Sequence, residues 1–362
     1  EKDGYDDYML KEIHEQPTAI RETIGSKLSE NGKCDFEDLD FTKEYLKSLN
    51  KIYIVACGTA MHAGLAGKNA IEKLCKIQTE VDIASEFRYR DPLIDEKTLC
   101  IFISQSGETA DTIAALKLSK EKGAKTLAIS NVIGSSITRE ADYSIYTHAG
   151  PEIAVASTKA YTSQVVLLVI LAIYFAEILE LDNSYVTNLK KEILELPKKI
   201  EETLKLSEKI KEFSKKVYQE HDIFFIGRGI DETVAKEGSL KLKEISYIHS
   251  ESYAAGELKH GPIALIENGV TVIGIMTDPN LVEKTISNIQ EVITRGAKTL
   301  VITNQPIDTS MFDMMIQIPD THPFISPILS IIPLQLFSYY ISKEKGLDVD
   351  KPRNLAKSVT VE

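Results

Sequence analysis

Apolar residues along this chain come in short unbroken runs, each followed by a longer stretch with helical spacing. Ile52–Ala56 leads into a predicted helix near Met61–Cys75, Leu99–Ser104 leads into another near Thr109–Lys122, and Thr126–Ser130 follows at once. Runs that are apolar almost continuously, rather than at every second position, predict strands covered on both faces. Their alternation with helices predicts a parallel sheet. The pattern then starts again. Gly123–Ser130 (GAKTLAIS) returns as Gly296–Thr303 (GAKTLVIT). Ile52–Val55 with its Cys57-Gly58 turn returns as Ile223–Ile226 with Gly227-Arg228-Gly229, and Glu86 falls opposite Glu257. Three landmarks in one order and spacing predict an internal duplication.

The expected fold is therefore α/β, with two duplicated lobes, each a parallel sheet flanked by helices. The first lobe is assigned to 1–181, the second to 182–346, and a tail to 347–362. Asp182–Asp222, rich in Lys, Glu and Leu at helical spacing, predicts a connector helix. Val165–Ala176 and Ser326–Ser342 predict a closing helix for each lobe. The run Val165–Ala176 has 12 residues, too few to span a bilayer. Pro352 discourages any helix through the tail, which by composition alone reads as exposed chain.

In parallel sheets of this kind ligands sit beyond the strand C-termini, which expects the Gly58 and Ser104 loops to share one crevice. The second of these, Ser104-Gln105-Ser106-Gly107-Glu108-Thr109, joins an apolar strand directly to a helix. Three hydroxyls, a permissive glycine and a helix N-terminus suit a phosphate monoester, because free N–H groups and the helix dipole favour negative charge. Ser and Thr are also common helix caps, but three hydroxyls and a Gln in six residues exceed what capping requires. The corresponding loop of the second lobe, Thr277-Asp278-Pro279-Asn280, has no hydroxyl cluster and carries a carboxylate. One phosphate site per duplicated unit is expected.

Glu237, Lys241 and Glu244 fall at i, i+4 and i+7 on a predicted helix Glu237–Ile248, hence on one face. Spacing alone would make them a surface charge pair. Near the C-terminus, Lys357 stands as a candidate amine, and His260 beside Gly261-Pro262 as a group able to titrate near neutrality.

Composition narrows the class. A net charge of −12 argues against nucleic-acid binding, yet leaves room for a local cradle of N–H groups around one small anion. Cys34, Cys57, Cys75 and Cys100 form no CxxC pair and no metal-ligand cluster. Scattered single thiols fit a reducing, cytoplasmic setting. The start at Glu1 has neither an initiator Met nor the apolar core of a signal peptide, and is expected to be a fragment or processed product.

With the motifs in view, the run SerGlnSerGlyGluThrAlaAspThr from Ser104 resembles the phosphate loop of sugar isomerase (SIS) domains, a flavodoxin-like fold. A wider ordered set resembles the isomerase portion of the glucosamine-6-phosphate synthase family. It comprises Gly4–Pro17, Ala56–Thr59, Ala84–Arg90, Val155–Ala160, Leu240–His249, Ala254–Pro262 and Arg353–Glu362. The resemblance implies that Ser104, Gln105, Ser106 and Thr109 hold a phosphate, and that Thr59, Val155, Ser157 and Ala356 contact the sugar. Where the family has a serine after Cys-Gly-Thr, this chain has Ala60, which cannot supply that hydroxyl.

It further implies that Glu244 moves a proton between C1 and C2 with Lys241 nearby, and that His260, supplied by the other subunit of a homodimer, opens the ring. Lys357 would form an imine with the ketose, the tail folding over the sugar. The implied reaction joins fructose 6-phosphate and ammonia into glucosamine 6-phosphate without metal or redox cofactor. Glucose 6-phosphate would be a further ligand, and ammonia would come from an N-terminal glutaminase domain that this chain lacks, so the chain is expected not to use glutamine. Two other readings stay open: a stand-alone SIS-type glucosamine-6-phosphate deaminase, and a non-catalytic sugar-phosphate sensor.

Overall fold

The computed structural model describes residues 1–182 and 184–362. Among the described residues, ten strands form two five-stranded sheets. The first sheet contains β1 (Lys51–Ala56), β2 (Thr79–Ile83), β3 (Thr98–Ser104), β4 (Lys125–Ser130) and β5 (Tyr143–Tyr146). The second contains β6 (Asp222–Gly227), β7 (His249–Ala254), β8 (Thr271–Met276), β9 (Lys298–Thr303) and β10 (Met314–Gln317). Every pairing is parallel. The orders β2-β1-β3-β4-β5 and β7-β6-β8-β9-β10 are the same order repeated, the flavodoxin-like arrangement. The central strands β3 and β8 are buried at every residue, as their unbroken apolar sequences require.

The duplication extends to the helix contacts. In the first sheet's unit, helix Gly58–Cys75 meets helix Lys159–Ile178 at Gly67, where a Cβ would lie 2.6 Å from Leu168. In the second, helix Ile230–Ser246 meets helix Ser326–Glu344 at Gly238, where a Cβ would lie 2.6 Å from Leu334. The absent side chain at each place lets two helices approach closely.

The run Val165–Ala176 sits inside the longer helix Lys159–Ile178. By length and composition this helix and Pro323–Glu344 could each cross a membrane, but 89% and 94% of their apolar windows are buried in the fold. They are core helices. The stretch between the sheets forms two helices, Val186–Leu204 and Ser207–Val217.

Contacts divide the chain into two compact units whose segments interleave in sequence. The first-sheet unit holds Gln16–Glu152, Lys159–Pro197 and Ala356–Glu362; the second-sheet unit holds Glu1–Glu15, Ile153–Thr158 and Lys198–Leu355. Backbone capping explains the short exchanged pieces of the second-sheet unit. Glu12, buried on the first helix, accepts the N–H groups of Ile153 and Ala154 at 2.6 and 3.0 Å. Asp350 takes those of Tyr8 and Met9 at 2.9 and 2.8 Å, and its carbonyl accepts from Val155 N–H. Buried N–H groups need such partners.

Candidate active site

In the first-sheet unit, the loop between β3 and the helix Ala110–Glu121 gathers its hydroxyls. Ser104 Oγ lies 2.8 Å from Thr109 Oγ1 and accepts from Gly107 N–H at 3.0 Å; Ser106 Oγ accepts from Glu108 N–H at 3.1 Å. Gly107 has φ +71°, and a Cβ there would come within 2.0 Å of Ser135 Oγ, so glycine is required by both conformation and space. The loop after β4 braces this turn. Gly107 C=O accepts from Ile137 N–H at 3.0 Å, Gln105 C=O accepts from Asn131 N–H at 3.1 Å, and Glu108 accepts from Ser136 N–H and Oγ at 2.9 and 2.5 Å. Those two bonds hold the Glu108 carboxyl below the usual carboxylate range, the hydroxyl contributing most. Glu108, Ser135 and Ser136 belong to the cradle's frame, and sequence reasoning did not single them out. Glu108 sits within the run already read as the candidate loop, and the signal for Ser135 and Ser136 was the cluster of small polar residues in Gly134-Ser135-Ser136.

The tail stays largely exposed, as composition alone would have it, with Val359 56% and Val361 71% exposed, yet it touches this loop at several points. Val359 C=O accepts from Ala110 N–H at 3.1 Å, satisfying a donor in the helix's first turn that has no partner within the helix. Ser358 Oγ lies 3.0 Å from Ser106 Oγ, Glu362 pairs with Arg88, and Lys357 Nζ pairs with Glu152. Ala356 is exposed beside Lys357. Thr59, partly buried, is the second residue of helix Gly58–Cys75. In the first-sheet unit, then, the hydroxyls of Ser104, Ser106 and Thr109 and the lysine-bearing tail lie together.

The remaining predicted residues lie in the second-sheet unit. Helix Ile230–Ser246 is longer than predicted and ends at Tyr247, whose left-handed φ of 63° stops it short of Ile248. On it Lys241 Nζ lies 2.6 Å from Glu244 and 3.4 Å from Glu237. The Lys241 and Glu237 side chains are each 1% exposed, whereas Glu244 is 20% exposed. The spacing that by itself predicted a surface pair is thus a mostly buried triad with one accessible carboxylate. Burying a lysine costs several kcal/mol unless it is paired, so both carboxylates serve to hold it. His260 is exposed at the end of the 3-10 helix Ala255–His260. Val155 and Ser157 are partly buried in the segment capped by Glu12 and Asp350.

The second sheet shows why its own strand-to-helix junction is no cradle. Counting back from the paired glycines Gly67 and Gly238, Asp231 stands opposite Ala60. Its buried carboxylate accepts from Thr277 N–H at 2.8 Å and from Thr277 Oγ1 at 2.5 Å, with Ser326 Oγ 3.1 Å from that hydroxyl. The protein's own anion occupies the donors after β8. Burial raises its pKa to about 6, against the lowering effect of the Thr277 bonds.

Because the folded value lies above the ordinary carboxylate range, folding takes up a proton between about pH 4 and 6. Stability from this group therefore rises as pH falls from 7 to 5, by about 1 kcal/mol. Urea unfolding of wild type and Asp231→Asn at both pH values checks this. The difference between the two proteins should change by that amount, and a difference independent of pH would refute it.

Taken together, these features define a duplicated α/β protein in which one lobe's strand-to-helix junction is lined by hydroxyls and the other's is filled by its own carboxylate. The SIS domain family matches it over residues 45–174 and 216–342. The chain is 58% identical, over its whole length, to the glutamine--fructose-6-phosphate aminotransferase [isomerizing] of Clostridium perfringens, and 52% identical to that of Caldanaerobacter subterraneus subsp. tengcongensis. It spans about 60% of the length of each. The C-terminal domain of glucosamine-fructose-6-phosphate aminotransferase from Francisella tularensis superimposes with a TM-score of 0.90 at 41% identity, covering 97% of this chain and 100% of that one. A glucosamine-6-phosphate deaminase from Thermotoga maritima shares the fold, with a TM-score of 0.76 at 23% identity, covering 98% of this chain and 99% of that one.

The chain belongs to the SIS domain family and, within it, to the glutamine--fructose-6-phosphate aminotransferases, whose C-terminal isomerase part it covers.

Proposed function

We propose that this chain converts fructose 6-phosphate and ammonia into glucosamine 6-phosphate, acting in the cytoplasm as the isomerase half of a longer enzyme. The observation that supports it most is the meeting of the hydroxyls of Ser104, Ser106 and Thr109 with the tail that carries Lys357. One places donors for a phosphate; the other brings an amine to the same loop.

On this reading Ser104, Gln105, Ser106 and Thr109 hold the phosphate, while Thr59, Val155, Ser157 and Ala356 line the sugar. His260 of a second copy in a homodimer opens the ring. Lys357 attacks the C2 carbonyl, ammonia displaces the lysine from the imine, and Glu244, steadied by Lys241, takes a proton from C1 and returns it to C2. C1 is oxidised as C2 is reduced, so the step needs neither a metal nor a redox cofactor. Ammonia comes from a glutamine-hydrolysing domain of the whole protein. The relatives' greater length and their names support that source.

The test is incubation of the chain with fructose 6-phosphate, with and without ammonium chloride, followed by NMR. Glucosamine 6-phosphate should form with ammonia, and slow conversion to glucose 6-phosphate without it. Binding with no turnover in either tube would make the chain a sensor. Ammonia release from glucosamine 6-phosphate far outpacing the forward reaction would make it a deaminase.

A further inference from the structure

Glu152 is a buried acid of the first-sheet unit that pairs with the tail's amine. Its side chain is 1% exposed, and Oε1 pairs with Lys357 Nζ. Oε2 accepts the N–H of Ala160 at 2.9 Å, in the first turn of helix Lys159–Ile178. That backbone bond and the helix dipole favour the charged form, and they fix the orientation that aims Oε1 at the lysine. A buried carboxylate is costly unless compensated. Here part of the compensation comes from Lys357, whose side chain is 24% exposed and one residue from the Ser358–Ser106 contact.

Three other charges are relevant. Lys159, the first residue of that helix, has its Nζ 3.6 Å from where a Gly150 Cβ would stand; Glu12 takes the next two backbone N–H groups, and Glu108 is engaged by Ser136. Of these carboxylates, Glu152 is the one paired with the amine.

We propose that Glu152 is the proton partner of Lys357 in imine formation. This rests on the reading that Lys357 reacts with the ketose. An ammonium cannot attack a carbonyl. Glu152 accepts one proton from Lys357, leaving a neutral amine beside a carboxylic acid. The amine adds to C2, a further proton passes from nitrogen to the C2 oxygen, and the C2–OH bond breaks as Glu152 returns its proton, releasing water. The sum is ammonium plus ketone giving protonated imine plus water, with the carboxylate regenerated. Glu152 is thus both the rest that holds the ammonium and the base that frees it.

The experiment traps the imine with borohydride after addition of fructose 6-phosphate and maps the adduct by mass spectrometry. Wild type should give an adduct on Lys357 at a rate that is flat between about pH 6.5 and 8.5. Glu152→Gln keeps an oxygen for Ala160 but cannot take the proton. Its trapping rate should fall about a hundredfold at pH 7, the lower range for a lost general base, and climb about tenfold per pH unit as solvent takes over. Glu152→Asp should recover part of the rate and the flat profile. Binding of glucitol 6-phosphate, which has no carbonyl, should be unchanged in both variants and serves as the folding control.

A Gln variant with the wild-type pH profile, whatever its rate, overturns the proposal and leaves Glu152 as an anchor for the tail. Loss of glucitol 6-phosphate binding overturns it as well, because the residue would then be needed for the folded site itself. No adduct on Lys357 in the wild type would instead overturn the imine reading, and this inference with it.

Discussion

Glu244→Gln is expected to lose about a thousandfold in turnover of fructose 6-phosphate while binding it as tightly as wild type. The side chains differ by one proton-accepting oxygen, so shape and packing survive. Lys241, 2.6 Å from Glu244 and 3.4 Å from Glu237, keeps one carboxylate partner in the variant and stays paired. What disappears is the single accessible proton acceptor of the triad, since Glu237 is buried and faces Lys241. The measurement is kcat and calorimetric affinity on the same preparations, with exchange of the C1 proton into deuterated water as a direct readout. A variant that still exchanges that proton at the wild-type rate would remove Glu244 from the chemistry. Equal losses of affinity and turnover would instead mark it as a binding residue.

Replacing Ser104, Ser106 and Thr109 together by Ala is expected to weaken fructose 6-phosphate binding at least about a hundredfold. Each hydroxyl bond to a charged group contributes about 1.5–3 kcal/mol, and water replaces part of the sum. Gly107→Ala should do the same by another route. Its Cβ cannot fit within 2.0 Å of Ser135 Oγ, and φ +71° is unfavourable for any side chain, so the turn must open and the N–H groups lose their aim. Isothermal titration of both variants, with thermal unfolding to confirm that the sheet is intact, checks the pair. Affinity within about threefold of wild type in the triple variant would show that the phosphate sits elsewhere.

The fold was largely legible. Strands that are almost continuously apolar, as in Leu99–Ile103, are satisfied between two layers of helices, and the repeat of GAKTLAIS as GAKTLVIT announced a second sheet. The edge strands β2, β5, β7 and β10 were not singled out. Three of them carry polar residues at several positions, as in Thr79-Glu80-Val81-Asp82-Ile83, and β10 (Met314–Gln317) is a short, partly exposed run with no contrast to its surroundings. An edge strand covered on fewer sides carries little of the apolar signal. The hydroxyl-lined turn was legible because its pattern is local: hydroxyls, glycine and helix start within six residues.

Other features had no local signature. Glu152 is a lone acid before an apolar stretch, and only the folded tail shows that it faces Lys357. Asp231 is an ordinary acidic residue in the first turn of a helix, a place where acids are common. Its partner Thr277 follows a strand that comes after it in the chain, so their meeting depends on the register of β6 and β8. The burial of Glu237 and Lys241 had the same cause: spacing put them on one face of a helix, but only packing decided that the face turns inward.

What the chain determined by itself was period and local chemistry: which segments are strand or helix, that the unit is duplicated, and that one junction gathers hydroxyls at a helix start. Those depend on residues a few positions apart. The tertiary structure decided which far-separated groups become partners. A buried charge is stable only where the completed fold brings it a counter-charge or a backbone donor, and in this protein those partners often come from residues tens to hundreds of positions away.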